Sequence, residues 1–245
     1  MPSHAGTAFL FGGIMKVPLS ARLLTCCNYV NQGDRVADIG CDHGYLGIHL
    51  LKSGIAQSVI AADINEQPLH SARVNALKFG VRNKMRFFLS NGVEGIPRDF
   101  DTMVCAGMGA DTMISILTAA PWLKNEQYRL VLQCQSKTPL LRRWLQEQGW
   151  AIRRETLAKD GKFVYSVMEI TYAPSEEPAL WEYYISKALF DEGSPLLPEY
   201  YDRIRQGLRL SVEGMRRSGN EELGMYEETL SQLEALEEKI NEYSG

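Results

Sequence analysis

Within eight residues, Asp38-Ile39-Gly40-Cys41-Asp42-His43-Gly44-Tyr45, the chain gathers two carboxylates, an imidazole, a phenol and two glycines. The apolar Val36-Ala37 before it reads as a buried strand, and Leu46 onward as a helix, so the glycines fall in a strand-to-helix turn. Gly40 and Gly44 allow a ligand to approach the backbone closely, and the first helical turn offers free N–H groups and a positive dipole end. The spacing is D-x-G-x-x-x-G, and Asp42 occupies the place where a dinucleotide fingerprint has its second glycine. Asp38 would repel a pyrophosphate and attract a ligand that carries an ammonium and a sulfonium, which favours S-adenosylmethionine over a dinucleotide.

A second acid supports this choice. The apolar run 58–63 ends in Asp63, close to the ~20-residue offset that places a carboxylate on an adenosine ribose, although Asp63 could equally cap the helix that follows. Ile64 lies beside it. Two further glycine-bearing turns, Asn91-Gly92 and Ala106-Gly107-Met108-Gly109, follow apolar runs 85–89 and 102–106. In an alternating β/α chain they fall at the carboxyl ends of parallel strands, the face where ligands bind. Asn91 and Gly92 are candidates for the adenine, Ala106 and Gly107 for the rest of the cofactor, and Gly109 for room beside the substrate. Asn-Gly is also a common plain turn.

The elements that must hold these groups are legible as periodic segments. Helices are expected over 45–52, 66–79 and 139–148, and a fifth strand over 130–134. Runs 151–158 and 163–171 flank Asp160-Gly161 and read as a hairpin, so the last strand should be antiparallel. Five parallel strands finished by such a hairpin form the Rossmann-like, seven-stranded α/β sheet of class I methyltransferases. Beyond residue 174 the pattern is helical. Leu180, Trp181, Tyr184, Ile185 and Ala188 suggest one helix, and stripes from Leu197 to Met215 and from Leu223 to Ile240 suggest an antiparallel, coiled-coil-like hairpin. The expected division is an extension over 1–14, with Met15 as an alternative start, a cofactor-binding domain over 15–173 and a helical domain over 174–245.

Charge is unevenly shared. Residues 1–172 hold 19 Lys+Arg and 14 Asp+Glu, whereas 173–245 hold 7 and 16, so a mildly basic body carries an acidic tail. Within that tail Arg205, Arg209 and Arg216 share one helix face. They could form an arm for tRNA, or belong to an oligomerisation hairpin whose basic arm pairs with the acids of 221–242. Five scattered cysteines and four histidines indicate neither a disulfide framework nor a metal site, and no apolar run reaches the ~20 residues of a membrane span. A cytoplasmic protein is expected.

The residues 19–23 (Leu-Ser-Ala-Arg-Leu), 35–46 (with the Asp42-His43 pair), Ala106-Gly107-Met108-Gly109, Leu132-Gln133 and 141–145 (Leu-Arg-Arg-Trp-Leu) together resemble the bacterial tRNA (adenine(22)-N1)-methyltransferase family. Asn91, Cys41 and Ala110 depart from that family's usual acid, threonine and glycine. The resemblance implies methyl transfer from S-adenosylmethionine to N1 of an adenosine in the tRNA D-arm region; the sequence leaves the oligomeric state open, with a monomer favoured, and no metal is expected. Asp42, His43 and Tyr45 are then the catalytic candidates nearest the methyl, with Asp101 and Asp111 further back. The fourth-strand turn lacks the Asn/Asp-Pro-Pro-aromatic sequence that N6-adenine methyltransferases use, which points to the ring nitrogen. A small-molecule methyltransferase, a non-catalytic cofactor-binding assembly module and, more remotely, a nicotinamide oxidoreductase are the other readings.

Overall fold

Strand-forming runs that are apolar at every position can only be buried on both faces, and here helices cover both. The computed structural model describes residues 16–174 and 176–244, so the 1–14 extension lies outside the described residues. In chain order the elements are α1 (Ala21–Cys27), β1 (Arg35–Ile39), α2 (Tyr45–Lys52), β2 (Ser58–Asp63), α3 (Glu66–Lys78), β3 (Met85–Leu89), β4 (Thr102–Met108) and α4 (Ala110–Thr118). There follow β5 (Arg129–Cys134), α5 (Thr138–Glu147), β6 (Trp150–Asp160), β7 (Phe163–Tyr172), α6 (Lys187–Glu192), α7 (Leu197–Ser218), α8 (Leu223–Glu234) and α9 (Glu237–Asn241).

The sheet order is β3-β2-β1-β4-β5-β7-β6, with β7 antiparallel to β5 and β6. This bears out the seven-stranded Rossmann-like expectation. Alternate residues feed the two faces: Ala37, Ile39, Met103 and Cys105 pack under α4 and α5, while Val36, Val104, Val131 and Val167 pack under α1, α2 and α3. The strand order reverses between β1 and β4, which pair directly, and the crevice beyond their carboxyl ends is where such sheets take ligands.

The helical tail differs from expectation in two places. The stripe Leu180 to Ala188 is not one helix but a 3-10 turn, Leu180–Tyr183, followed by α6. The cause is Arg142. Its Nη1 donates to the carbonyls of Tyr183 (3.1 Å) and Tyr184 (2.7 Å), acceptors that a continuous helix would need, while the Ser186 hydroxyl accepts from the Leu189 N–H to start α6 anew. The second hairpin arm is likewise divided, between α8 and α9 at Ala235-Leu236. Leu157 and Val164 of the β6–β7 hairpin join Ile185, Leu197, Tyr201, Leu208, Leu233 and Ile240 in a third core, which docks the tail on the sheet.

Candidate active site

Gly44 precedes α2 without any side-chain cap, so the first N–H groups of that helix need acceptors from elsewhere. Asp38 supplies one: its carboxylate accepts from the Gly47 N–H in the first turn of α2. The other oxygen, Oδ2, is buried and has no partner among the described residues. Burial pushes the Asp38 carboxyl up to about 7; the Gly47 N–H pulls it down, and the Asp63 and Asp42 charges raise it further. A desolvated carboxylate with one free oxygen is a group that could hold a cation.

The loop between β1 and α2 is held open by backbone that few side chains tolerate. Gly40 (φ 72°), Asp42 (φ 49°) and Gly44 (φ 72°) are all left-handed. A Cβ on Gly40 would lie 2.2 Å from Met108 Cε, and one on Gly44 2.9 Å from Ala72 Cβ, so the first glycine admits the β4 turn and the second admits α3. Asp63 fixes this loop. Its Oδ2 accepts from the Asp42 N–H (3.1 Å) and its Oδ1 from the Asn65 N–H (2.9 Å). Asn65, not Asp63, stands at the N-cap of α3, so the capping alternative for Asp63 gives way to a clasp between β2 and the glycine loop.

Two cavities of about 250 Å³ each open at the strand reversal and share Gly40 and Met108. The first is lined by Asp38, Asp42, His43, Tyr45, Ala106 and Gly107. The second is lined by Asp63, Ile64, Asn91, Gly92, Thr112 and Ile116. The structure thus brings together the three catalytic candidates and, except for Gly44, the cofactor candidates expected from the sequence, but none of the substrate candidates Gly109, Arg205, Arg209 and Arg216. Gly44 supports the loop without lining either cavity, and Gly109 stands beyond them, at the start of α4 and against Ser136.

Asp42 and His43 are exposed at the mouth, with His43 Nε2 3.6 Å from Asp42 Oδ1. The His43 and Tyr45 rings lie 5.9 Å apart. Asp101 is excluded: it precedes β4, at the opposite end of the sheet, where it pairs with Arg35. Asp111 pairs with Lys137.

The hairpin arginines are engaged. Arg205 pairs with Glu237 and Asp202, Arg209 with Glu234 and Arg216 with Glu227, so this face is a charge-balanced zipper between the arms. Of the two roles open to these residues, pairing with the acids of the second arm is the one the geometry displays.

Sequence reasoning gave no role to Arg22, Met108 or Gln133. Gln133, fully buried at the end of β5, accepts through Oε1 from the Gly107 N–H (3.1 Å) and from Arg22 Nη1 (2.8 Å). This ties α1 to the β4 turn, and Arg22 and Leu23 thereby wall the first cavity. The available signal was a glutamine closing an otherwise apolar strand. Among the described residues no cluster of His, Cys, Asp or Glu is placed to hold a metal ion, and no helix is long and apolar enough to cross a membrane.

Comparison with known proteins agrees with this geometry. A family model described as a methyltransferase domain matches residues 19–168. A Mycoplasma genitalium protein described as a tRNA methyltransferase, MG248, is 33% identical over 157 residues, 62% of this chain and 69% of that protein. The Bacillus subtilis tRNA (adenine(22)-N(1))-methyltransferase is 30% identical over 154 residues, again 62% of this chain and 65% of the relative. The crystal structure of Streptococcus pneumoniae Sp1610 in complex with S-adenosyl-L-methionine superposes with a TM-score of 0.76 at 26% identity, covering 87% of this chain and 100% of that one.

Proposed function

The chain belongs to the methyltransferase-domain family and, within it, to the bacterial tRNA (adenine(22)-N1)-methyltransferases, and on that premise we propose that it methylates N1 of an adenosine in the D-arm region of tRNA, adenosine 22 by family. The carrying observation is the buried, half-satisfied carboxylate of Asp38 beside a glycine-lined crevice. S-adenosylmethionine fits the donors present: its cationic end suits Asp38 in the first cavity, and its adenosine suits Asp63, Ile64, Asn91 and Gly92 in the second. When bound it supplies a methyl group activated by the adjacent sulfonium.

The residues then have a short list of tasks. N1 of adenine carries an in-plane lone pair, so no proton need leave before attack and no general base is required. The N1–carbon bond forms as the sulfur–carbon bond breaks, and positive charge appears on the base. Alignment and electrostatics do most of the work. Ala106 and Gly107 leave room for a base taken out of its stack, and no side chain in Ala106-Gly107-Met108 competes for the N6 hydrogens. Asp42, beside His43, is the carboxylate at the mouth that can accept from N6 and offset the developing charge, and Tyr45 offers a stacking ring. Arg209 and Arg216 are assigned to holding the hairpin together. A monomer acting in the cytoplasm is the form in which this reading is proposed.

Transfer of tritium from methyl-labelled S-adenosylmethionine into acid-precipitable tRNA tests the reading. Label is expected in tRNA; its appearance only in small molecules would favour the small-molecule alternative.

Cofactor affinity should also depend on pH. In the free protein Asp38 is protonated below about pH 7, and the cationic ligand prefers it ionised. Binding therefore releases a proton below that pH. Affinity should fall about tenfold per pH unit from 7 towards 5 and level off above 7. Titration calorimetry at several pH values measures this, and an Asp38→Asn variant should lose the dependence.

A further inference from the structure

A third cavity, of about 210 Å³, lies on the same carboxyl-end face, bounded by the turn from β5 into α5, the start of β7 and the first half of α7. Its two charged lining residues are both cations, Lys137 and Arg203. α5 begins there without a side-chain cap, at Lys137 in a left-handed conformation (φ 58°), so the positive end of its dipole faces the same place. Ser166, also in the lining, is 2% exposed and its hydroxyl has no partner among the described residues.

Arg203 differs from its neighbours on α7. Arg205, Arg209, Arg216 and Arg217 each have an acid within salt-bridge distance, whereas among the described residues Arg203 has none. Its guanidinium is instead aimed by neutral groups: Nη2 donates to the Val164 carbonyl (2.7 Å), and the plane lies over the Tyr200 ring (5.2 Å). The charge is positioned but not neutralised. Lys137 is held by Asp111 at 2.8 Å, an exposed pair that solvent weakens and an anion can displace.

We propose that this cleft is a subsite for a backbone phosphodiester of the RNA substrate, gripped by Arg203, Lys137 and the N-terminus of α5. The inference rests on the tRNA reading above and deepens it. β5 is two strands from β1, roughly 10 Å, and Ser136 in the cavity wall touches Gly109 at the end of the β4 turn. A strand whose target base enters the first cavity passes over this cleft with an adjoining nucleotide. The paired arginines further out on α7 hold the arm in shape, and Arg203 at its base meets the RNA.

The test uses the full chain, an unmodified tRNA transcript, and the variants Arg203→Gln, Lys137→Gln and Arg203→Lys. Binding is measured across a range of salt. Each Gln variant should make the slope of log affinity against log salt shallower by about one unit, and the double variant should raise KM for tRNA roughly tenfold. Arg203→Lys, which keeps the charge, should retain the slope. Affinity for S-adenosylmethionine and the melting temperature should stay at the parent values, so that a folding defect is visible if present.

Slopes unchanged in both Gln variants, with the parent binding and methylating tRNA normally, would overturn the subsite alone. A parent that neither binds nor methylates tRNA would overturn the reading beneath it. Inorganic phosphate supplies a further arm. If it raises the melting temperature of the parent but not of Arg203→Gln, while the tRNA slope is the same in both, the cleft is a small-anion site and the proposal fails.

Discussion

Asp38→Asn should make the free protein more stable at pH 8 and about a hundredfold weaker in binding S-adenosylmethionine. Both effects have one origin. Asp38 is buried, and its carboxyl is pushed from the ordinary 3.8 to about 7 by loss of solvent. The folded state therefore holds a proton that the unfolded state releases between about pH 4 and pH 7. Stability is highest below that window, falls as pH rises through it, and stays low above. Removing the charge recovers on the order of 2 kcal/mol at pH 8, a gain of several degrees in Tm, after allowing for an amide that the site also leaves partly unsatisfied. The same change removes the anion proposed to face the ligand's cationic end, a loss of about 2–5 kcal/mol for a buried charge pair. Calorimetry of unfolding and of binding reads both. An Asp38→Asn protein that binds the cofactor as tightly as the parent contradicts the assignment.

Arg142→Ala should be the most damaging single change outside the site, costing about 3–5 kcal/mol, because it leaves Glu155 as an unpaired charge in the core. Arg142 is 2% exposed and Glu155 2%. The guanidinium pairs with Glu155, donates to the Tyr183 and Tyr184 carbonyls and approaches the Tyr200 hydroxyl at 3.4 Å, while the Ser186 hydroxyl donates to Glu155. One ion pair, between α5 and β6, thus joins the 3-10 turn, the start of α6 and α7. The expected signature is an earlier urea transition together with proteolytic release of residues beyond 174. The double variant Arg142→Met, Glu155→Leu should recover much of the loss, since it removes both charges and keeps volume. A single Arg142→Ala variant within about 1 kcal/mol of the parent would show that the apolar core around Tyr201 and Leu233 docks the tail unaided.

The cradle was legible because its signals are local. Glycine positions, apolar runs and terminal acids at 38 and 63 lie within a few residues of the turns they define, and the sheet places them together by topology alone. The Asp160-Gly161 turn likewise announced the antiparallel finish. What could not be read depends on partners distant in sequence. Nothing near Arg142 reveals that it takes carbonyls 41 and 42 residues away and so breaks the helix expected over 180–188. Gln133 and Arg22 meet across 111 residues. Asp101 looked usable because its residue type was right, and only the strand direction shows that it sits at the wrong end of β4. The arginines at 205, 209 and 216 satisfied two patterns equally, and the acids opposite them on α8 and α9 decide how they are engaged.

Everything above converges on one reaction, transfer of a methyl group to N1 of adenine in tRNA. Nucleoside mass spectrometry of a tRNA transcript after incubation with the protein and S-adenosylmethionine measures it directly, with primer extension locating the modified base. The expected result is 1-methyladenosine and a reverse-transcription stop in the D-arm region, both absent without cofactor. N6-methyladenosine or a methylated guanosine as the primary product would contradict it.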